Sequence, residues 1–460
     1  MVRTSEQVLK LLTLVGFIVI GLAGVYAARG MYSDGAYWLV EMLPRGGFYI
    51  FDPHRAHVQV LVQAPVAFAI WLGTLDLNFL IRLHSVGFIC VPLAFWLGAL
   101  ALQMKSRLFW LFLLAFTVSY LRSNFFAAGE FSSAYAMTAF CASVLLRPKV
   151  TISQALSMLV TAGLLVKSYE ATLFLGSFLI GLTTLRLFKE LQDERATRIL
   201  FKLSIFLFLW AAYIGARSTF FQRAYDGKGA ANLGALTELH LLYLMVIPAL
   251  IGWMFTKYAR STRRWLGMGI VVLAGIYVIY SLRWDPSNIS YGYYSYAYRA
   301  LCCFLLIGVL SLAALIRFWP NFFTNAASAE TSFYIQIAAI AFFGSMAWLM
   351  LHHTYGYYKW AQRFERVAVE LRVNTPIDKT AINTIHGLTY GYNWMWGNPS
   401  TSILLRGNAE AIVLNNSIYM GQEQSIYENL KASDSKESGL PSKIDLYPLK
   451  PYIKPSLLFP

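Results

Sequence analysis

Charged side chains are scarce in this chain. Asp, Glu, Lys and Arg make up 13% of its 460 residues, about half the share of an average soluble domain. Acidic residues are the scarcer sign, 23 against 38 basic. Cysteine occurs four times, at Cys90, Cys141, Cys302 and Cys303, each within an apolar run. That placement argues against a disulfide scaffold or a Cys-x-x-Cys metal or redox site and favours small core residues. Also missing are a Walker A loop, a His-Glu-x-x-His helix and a Gly-x-Ser-x-Gly elbow. The net charge of +15 forms no basic stripe on a soluble region, so nucleic acid is not the expected partner.

What the chain has in abundance is apolar length. Blocks such as Leu11–Ala28, Trp265–Leu282 and Phe333–Leu351 approach the roughly 20 residues that carry a helix across a bilayer. Backbone polar groups in lipid must be satisfied within the segment, so these runs are helices. No alternating ten-residue pattern of a membrane barrel is present. Leu11–Ala28 has a longer apolar core than a signal peptide and reads as a retained first helix.

Eleven spans are predicted: 11–28, 79–102, 107–121, 131–146, 151–166, 171–186, 200–216, 238–256, 265–282, 298–316 and 333–351. With the N-terminus in the cytoplasm, Lys105, Arg107, Arg147, Lys149, the stretch Arg186–Lys202, the stretch Lys257–Arg264 and Arg317 all fall inside, as the positive-inside bias requires. Val58–Leu75 is apolar enough to span, but counting it would reverse every later loop. It is therefore read as an interfacial or re-entrant helix in the first outer loop, a reading that Gln63 and Pro65 favour. His352 and His353 mark the end of the last span. Residues 352–460 then form an extracytoplasmic domain. Trp360, Phe364, Val367 and Leu371 keep helical spacing, so that Lys359–Arg372 extends the last helix; Ile377–Met420 reads as a small mixed α/β fold, and Ser433–Lys443 as a linker. The whole is an all-α polytopic membrane domain, 1–351, with interfacial helices in its first outer loop and a small C-terminal domain.

Polar chemistry collects on the predicted outer side. Carboxylates beside a membrane are costly and tend to be functional. Asp34 follows the first helix and Glu130 opens the fourth, so two carboxylates share one level, suited to a general base or to a divalent cation. A turn before Gly35 and a helix N-terminus are their plain structural alternatives. Arg55, Arg122, Arg283 and Arg299 lie on the same side against the charge trend, where guanidinium forks suit phosphate; ion pairs or lipid headgroups are the alternative. Glu41, His54, His57, Tyr293 and Tyr296 complete the candidate substrate-binding set. The histidines have no third ligand in view, and tyrosines also populate membrane interfaces.

Met31-Tyr-Ser-Asp34-Gly after a first helix, Gly129-Glu130-Phe-Ser-Ser-Ala-Tyr opening a later one, and an outer C-terminal domain together resemble the GT-C class of membrane glycosyltransferases. Protein O-mannosyltransferases and aminoarabinose transferases belong to that class. The resemblance implies a bacterial cytoplasmic membrane, a polyprenyl-phosphate sugar donor, and a glycan, lipid-linked glycan or protein acceptor. It further implies inverting transfer, with Asp34 as base, Glu130 orienting substrate, and the arginines on the departing phosphate. Asp34 is not followed by a second acidic residue, and Phe51-Asp-Pro-His-Arg55 stands where some relatives carry His-Pro-Pro, which leaves metal dependence open. Three rivals stay open: an O-antigen polymerase or ligase, which places its large outer loop between late helices; a transporter or flippase, which carries broken helices and midplane charge; and a purely structural or assembly membrane protein.

Overall fold

The computed structural model describes residues 2–32, 34–120, 129–190, 194–221, 296–319 and 329–370, with residues 401, 404, 405 and 458. Twelve α-helices occur among them: α1 (Val2–Tyr26), α2 (Asp34–Arg45), α3 (Ala56–Trp71), α4 (Leu77–Ser85), α5 (Val91–Leu102), α6 (Phe109–Ser119), α7 (Gly129–Leu145), α8 (Ile152–Leu165), α9 (Thr172–Lys189), α10 (Arg195–Phe221), α11 (Tyr296–Phe318) and α12 (Ala329–Glu370). No strand occurs among the described residues. Val86–Cys90 is a π-helical stretch joining α4 to α5.

Six of these helical stretches are long and apolar enough to cross a membrane: Glu6–Tyr26, Leu77–Leu102, Thr172–Lys189, Arg195–Phe220, Arg299–Phe318 and Ile335–Arg366. Expected spans 107–121, 131–146 and 151–166 fall on the shorter α6, α7 and α8, and α6 at 11 residues rises only about 16 Å. Spans 238–256 and 265–282 lie outside the described residues, as does the expected mixed fold at 377–420 apart from residues 401, 404 and 405. The fold is thus an all-helical, multi-pass membrane architecture, with fewer full-length spans among the described residues than the apolar runs suggest. His352 and His353 do not end the last helix. α12 runs through them to Glu370, because Trp360 and Phe364, both buried, extend its apolar stripe past the histidines.

α7 is the axis of the bundle. From Glu130 to Leu146 only Phe140 is not buried, as expected of a helix apolar or small on every side. Helices around it turn large apolar side chains outward, among them Leu12 and Leu22 of α1, Val160 of α8 and Phe206 and Leu209 of α10. Such a surface suits hydrocarbon rather than water.

The helix ends fall into two sets. At one, Lys10 Nζ donates to the carbonyls of Met104 (3.0 Å) and Ser106 (3.3 Å). Gln103 donates to the Ser143 carbonyl, Arg186 to the Leu145 and Arg147 carbonyls, and Arg317 pairs with Glu190 at 2.6 Å. These contacts link the start of α1, the α5–α6 turn and the C-terminal ends of α7, α9 and α11 at a single basic end. The opposite ends of α7, α9 and α11 meet at a carboxylate end. Arg299–Phe318 and Thr172–Lys189 run between the two, with rises of about 25–30 Å, the thickness of a bilayer's hydrocarbon core.

Two elements pass beyond the carboxylate end. α3 and α4 form an antiparallel hairpin around the turn at Gly73, whose φ is +83°. A Cβ at Gly87 would collide with the Val62 carbonyl, so only glycine permits this crossing. α1 stops beside Ile89, the neighbour of Gly24, which leaves α4 and the hairpin tip to continue about 16 Å further. α12 likewise meets Arg29 at Thr354 (2.9 Å) and then continues for another 16 residues.

Candidate functional site

The carboxylate end is organised around Arg55. The segment Pro53–Arg55 forms one 3₁₀ turn, capped by Asp52, whose Oδ1 accepts from the His54 N–H at 2.8 Å. Arg55 is thereby delivered, almost fully buried, between the first turn of α7 and the turn before α9. Its Nη1 donates to Glu130 Oε2. Its Nε donates to Glu170 Oε1 at 3.0 Å, and Nη2 reaches the same oxygen. Asp52 Oδ2 lies 3.4 Å from Nε. Gln59, one turn into α3, donates to Glu130 Oε1 at 2.8 Å and accepts from the Asp52 N–H at 3.3 Å. One guanidinium thus gathers three carboxylates that are far apart in sequence. Glu130 and Asp52 are buried, while Glu170 keeps about a fifth of its side chain exposed (21%).

A ring of aromatic groups leads from this cluster to Arg299 at the start of α11. Arg55 lies over Tyr169 at 5.2 Å, and Arg299 lies over Phe131 at 5.0 Å. Arg299 Nη1 donates to the Tyr169 hydroxyl at 3.4 Å, and the Tyr135 hydroxyl donates to the Arg299 carbonyl at 2.6 Å. Glu130, Arg55 and Arg299, singled out separately from the sequence, therefore meet through Tyr169.

The remaining sequence candidates divide. Glu41 is fully buried in α2 and paired with Arg45 one turn on. His54 faces Asp52, with Nδ1 to Oδ1 at 3.3 Å. His57 instead donates from Nδ1 to the Gly163 carbonyl at 2.9 Å, so the two histidines serve different partners. Of Asp34 and Tyr296 only the backbone is described, each as the first residue of its helix. Arg122, Arg283 and Tyr293 lie outside the described residues. Arg55, expected to face phosphate, has its guanidinium among carboxylates, which is the ion-pair alternative for that residue. Among the described residues no group of three or more His, Cys, Asp and Glu side chains could hold a metal ion.

Three participants were not singled out from the sequence: Asp52, Gln59 and Glu170. Glu170 belongs to the polar turn 167–170 on the predicted outer side, and that sidedness is its only sequence signal. Gln59 and Gln63 are polar positions four apart on an apolar helix, both fully buried. Gln63 donates to the Tyr49 carbonyl (2.7 Å) and accepts from the Tyr49 N–H (2.9 Å). It pins the strap Gly47–Asp52 to α3. The hydroxyls of Tyr49 and Tyr37 are 3.1 Å apart. Burial pushes both phenols above the ordinary tyrosine range, and at Tyr37 the bond to Tyr49 adds to the rise.

Comparison with protein-family models, with curated proteins and with solved structures gives no match for this chain.

Proposed function

We propose that this protein transfers a sugar from a polyprenyl-phosphate donor to an acceptor hydroxyl at the carboxylate end of the bundle. The observation that carries the reading is the meeting of Arg55, Glu130, Glu170 and Arg299 from four elements, at the helix ends opposite the basic loops. The GT-C resemblance adds Asp34 as the base, at the start of α2. In the proposed step Asp34 takes the proton of the acceptor hydroxyl, whose oxygen forms a bond to the anomeric carbon. The bond from that carbon to the donor phosphate breaks on the opposite face, and polyprenyl phosphate leaves with the electron pair. Glu130 and Glu170 orient the sugar or the acceptor, and Arg55 holds those carboxylates in register. Arg299, with Arg122 and Arg283, meets the charge building on the phosphate. The acceptor is a glycan, a lipid-linked glycan or a protein.

In this reading the basic end is cytoplasmic, as the positive-inside bias suggests, in the cytoplasmic membrane of a bacterium. The full complement of eleven spans and an extracytoplasmic C-terminal domain belong to the same proposal. The projecting α3–α4 hairpin and the extended α12 suit an outer loop that covers the site.

The test is transfer from a radiolabelled polyprenyl-phosphate sugar in membranes containing the full chain. Asp34→Asn is expected to abolish transfer with folded yield unchanged, and near-normal transfer by that variant removes Asp34 from the reaction. A second reading, a transporter, is favoured by the π-helical break within Leu77–Leu102 beside a buried ion cluster. Solute flux into vesicles without any sugar transfer would select it.

A further inference from the structure

We infer that His84 is a positioning residue for the turn that presents Asp34, an inference that rests on the glycosyl-transfer reading. Among the described residues one non-glycine residue, Ala28, has positive φ (+50°), and one stretch is π-helical, Val86–Cys90. Both belong to the same contact. Ala28 makes a left-handed step into a 3₁₀ turn, Arg29–Met31, packed against the end of α4. A Cβ on Gly30 would strike the backbone of Ser85, and one on Gly35 would strike the Gly30 carbonyl. A non-glycine residue in the left-handed region, such as Ala28, costs of order 1–3 kcal/mol and persists where the surrounding structure holds it, most often at functional sites. Their convergence on the residues flanking Asp34 marks this turn out from the rest of the bundle.

Two adjacent side chains hold it. Fully buried His84 donates from Nε2 to the Gly35 carbonyl at 2.9 Å, and its ring lies 4.5 Å from that of Phe88. The donation places a proton on Nε2, and among the described residues the buried Nδ1 has no hydrogen-bond partner. Ser85 Oγ accepts from the Gly30 N–H at 3.0 Å and donates to the Ile81 carbonyl at 3.2 Å. The turn is therefore gripped on both sides of Asp34, at residues 30 and 35. The π stretch makes this possible. It takes in one extra residue, so the helix face before it is out of phase with the face after it. α5 keeps its seam on α7, with Gly98 against Phe140, while α4 turns residues 84 and 85 toward the turn.

The experiment compares His84→Ala with His84→Gln, which retains an N–H donor, in the full chain in lipid nanodiscs. Hydrogen exchange of the peptide covering residues 29–36 is expected to quicken about tenfold or more in His84→Ala. His84→Gln should stay within about threefold of the native rate. In the transfer assay His84→Ala should lower kcat about 100-fold with donor KM unchanged, the scale expected for a misplaced catalytic group, and His84→Gln should restore most of it. Unchanged exchange in His84→Ala overturns the inference. So does quickened exchange with native kcat, or a His84→Gln variant as defective as His84→Ala. If the native chain transfers no sugar, the glycosyl-transfer reading fails by itself and the exchange comparison still decides whether His84 holds the turn. Should His84→Ala not fold, Ser85→Ala, which removes the grip at Gly30, carries the same expectations.

Discussion

The two ends of the bundle satisfy their charges in opposite ways. At the basic end, Lys10 and Arg186 are buried cations that donate to backbone carbonyls, Lys10 with a further pair to the partly exposed Glu6 at 2.8 Å. The carbonyls around Arg186 close the C-terminus of α7, where the helix dipole favours positive charge. Both reach across to the main chain at the end of another helix. At the carboxylate end, Arg55 is satisfied by Asp52, Glu130 and Glu170, and nearby Ala28 takes a left-handed conformation while Gly30 and Gly35 sit where a Cβ would clash. The basic end resembles a fold finishing its helices. The carboxylate end holds more buried charge than closing helices requires, which is why the site is sought there.

The comparison can be broken most forcibly at Arg55. Arg55→Met leaves buried carboxylates without their counter-charge, and removing one partner of a buried pair typically costs about 3–5 kcal/mol. A large fall in Tm is expected in detergent, measured by fluorescence-detected gel filtration. Adding Glu130→Gln and Glu170→Gln to Arg55→Met should recover part of it. No recovery would mean that Arg55 acts through other contacts. At the basic end Arg186→Met should cost less, about 2 kcal/mol, the upper range for a cation at a helix C-terminus. A loss as large as that of Arg55→Met would erase the contrast between the ends. Arg317→Ala should be the mildest. Its pair with Glu190 is about a quarter exposed on both sides, and such pairs contribute about 0–1 kcal/mol.

Much of the helical layout was legible in the sequence, because an apolar run of sufficient length has few alternatives in a bilayer. The limits lay where a run says nothing about its interior. Val86–Cys90 reads as unbroken apolar helix, and nothing local shows that it winds as a π turn. The run 107–121 gave no sign that α6 starts only at Phe109 and stops at Ser119. In the site, Glu130 was legible because it opens a helix after a polar stretch, and Arg55 because it opposes the charge trend. Their union was not, since Arg55 and Glu170 are 115 positions apart and no spacing rule joins them. Phosphate was the natural expectation for an isolated arginine. The fold supplies carboxylates instead.

The reciprocal pair between Gln63 and Tyr49 has a consequence for how this protein can vary. A side-chain amide there plays the part that a neighbouring strand's peptide plays in a β-ladder, reading only main-chain atoms. The course of the strap is thus set by main-chain bonds, and of the side chains it displays Ile50 and Phe51 are partly exposed, Phe51 with its ring against Tyr37 and Tyr49. Substitutions at those two positions leave the anchoring bonds themselves untouched, so the rim of this strap can vary while its main-chain anchor stays as it is.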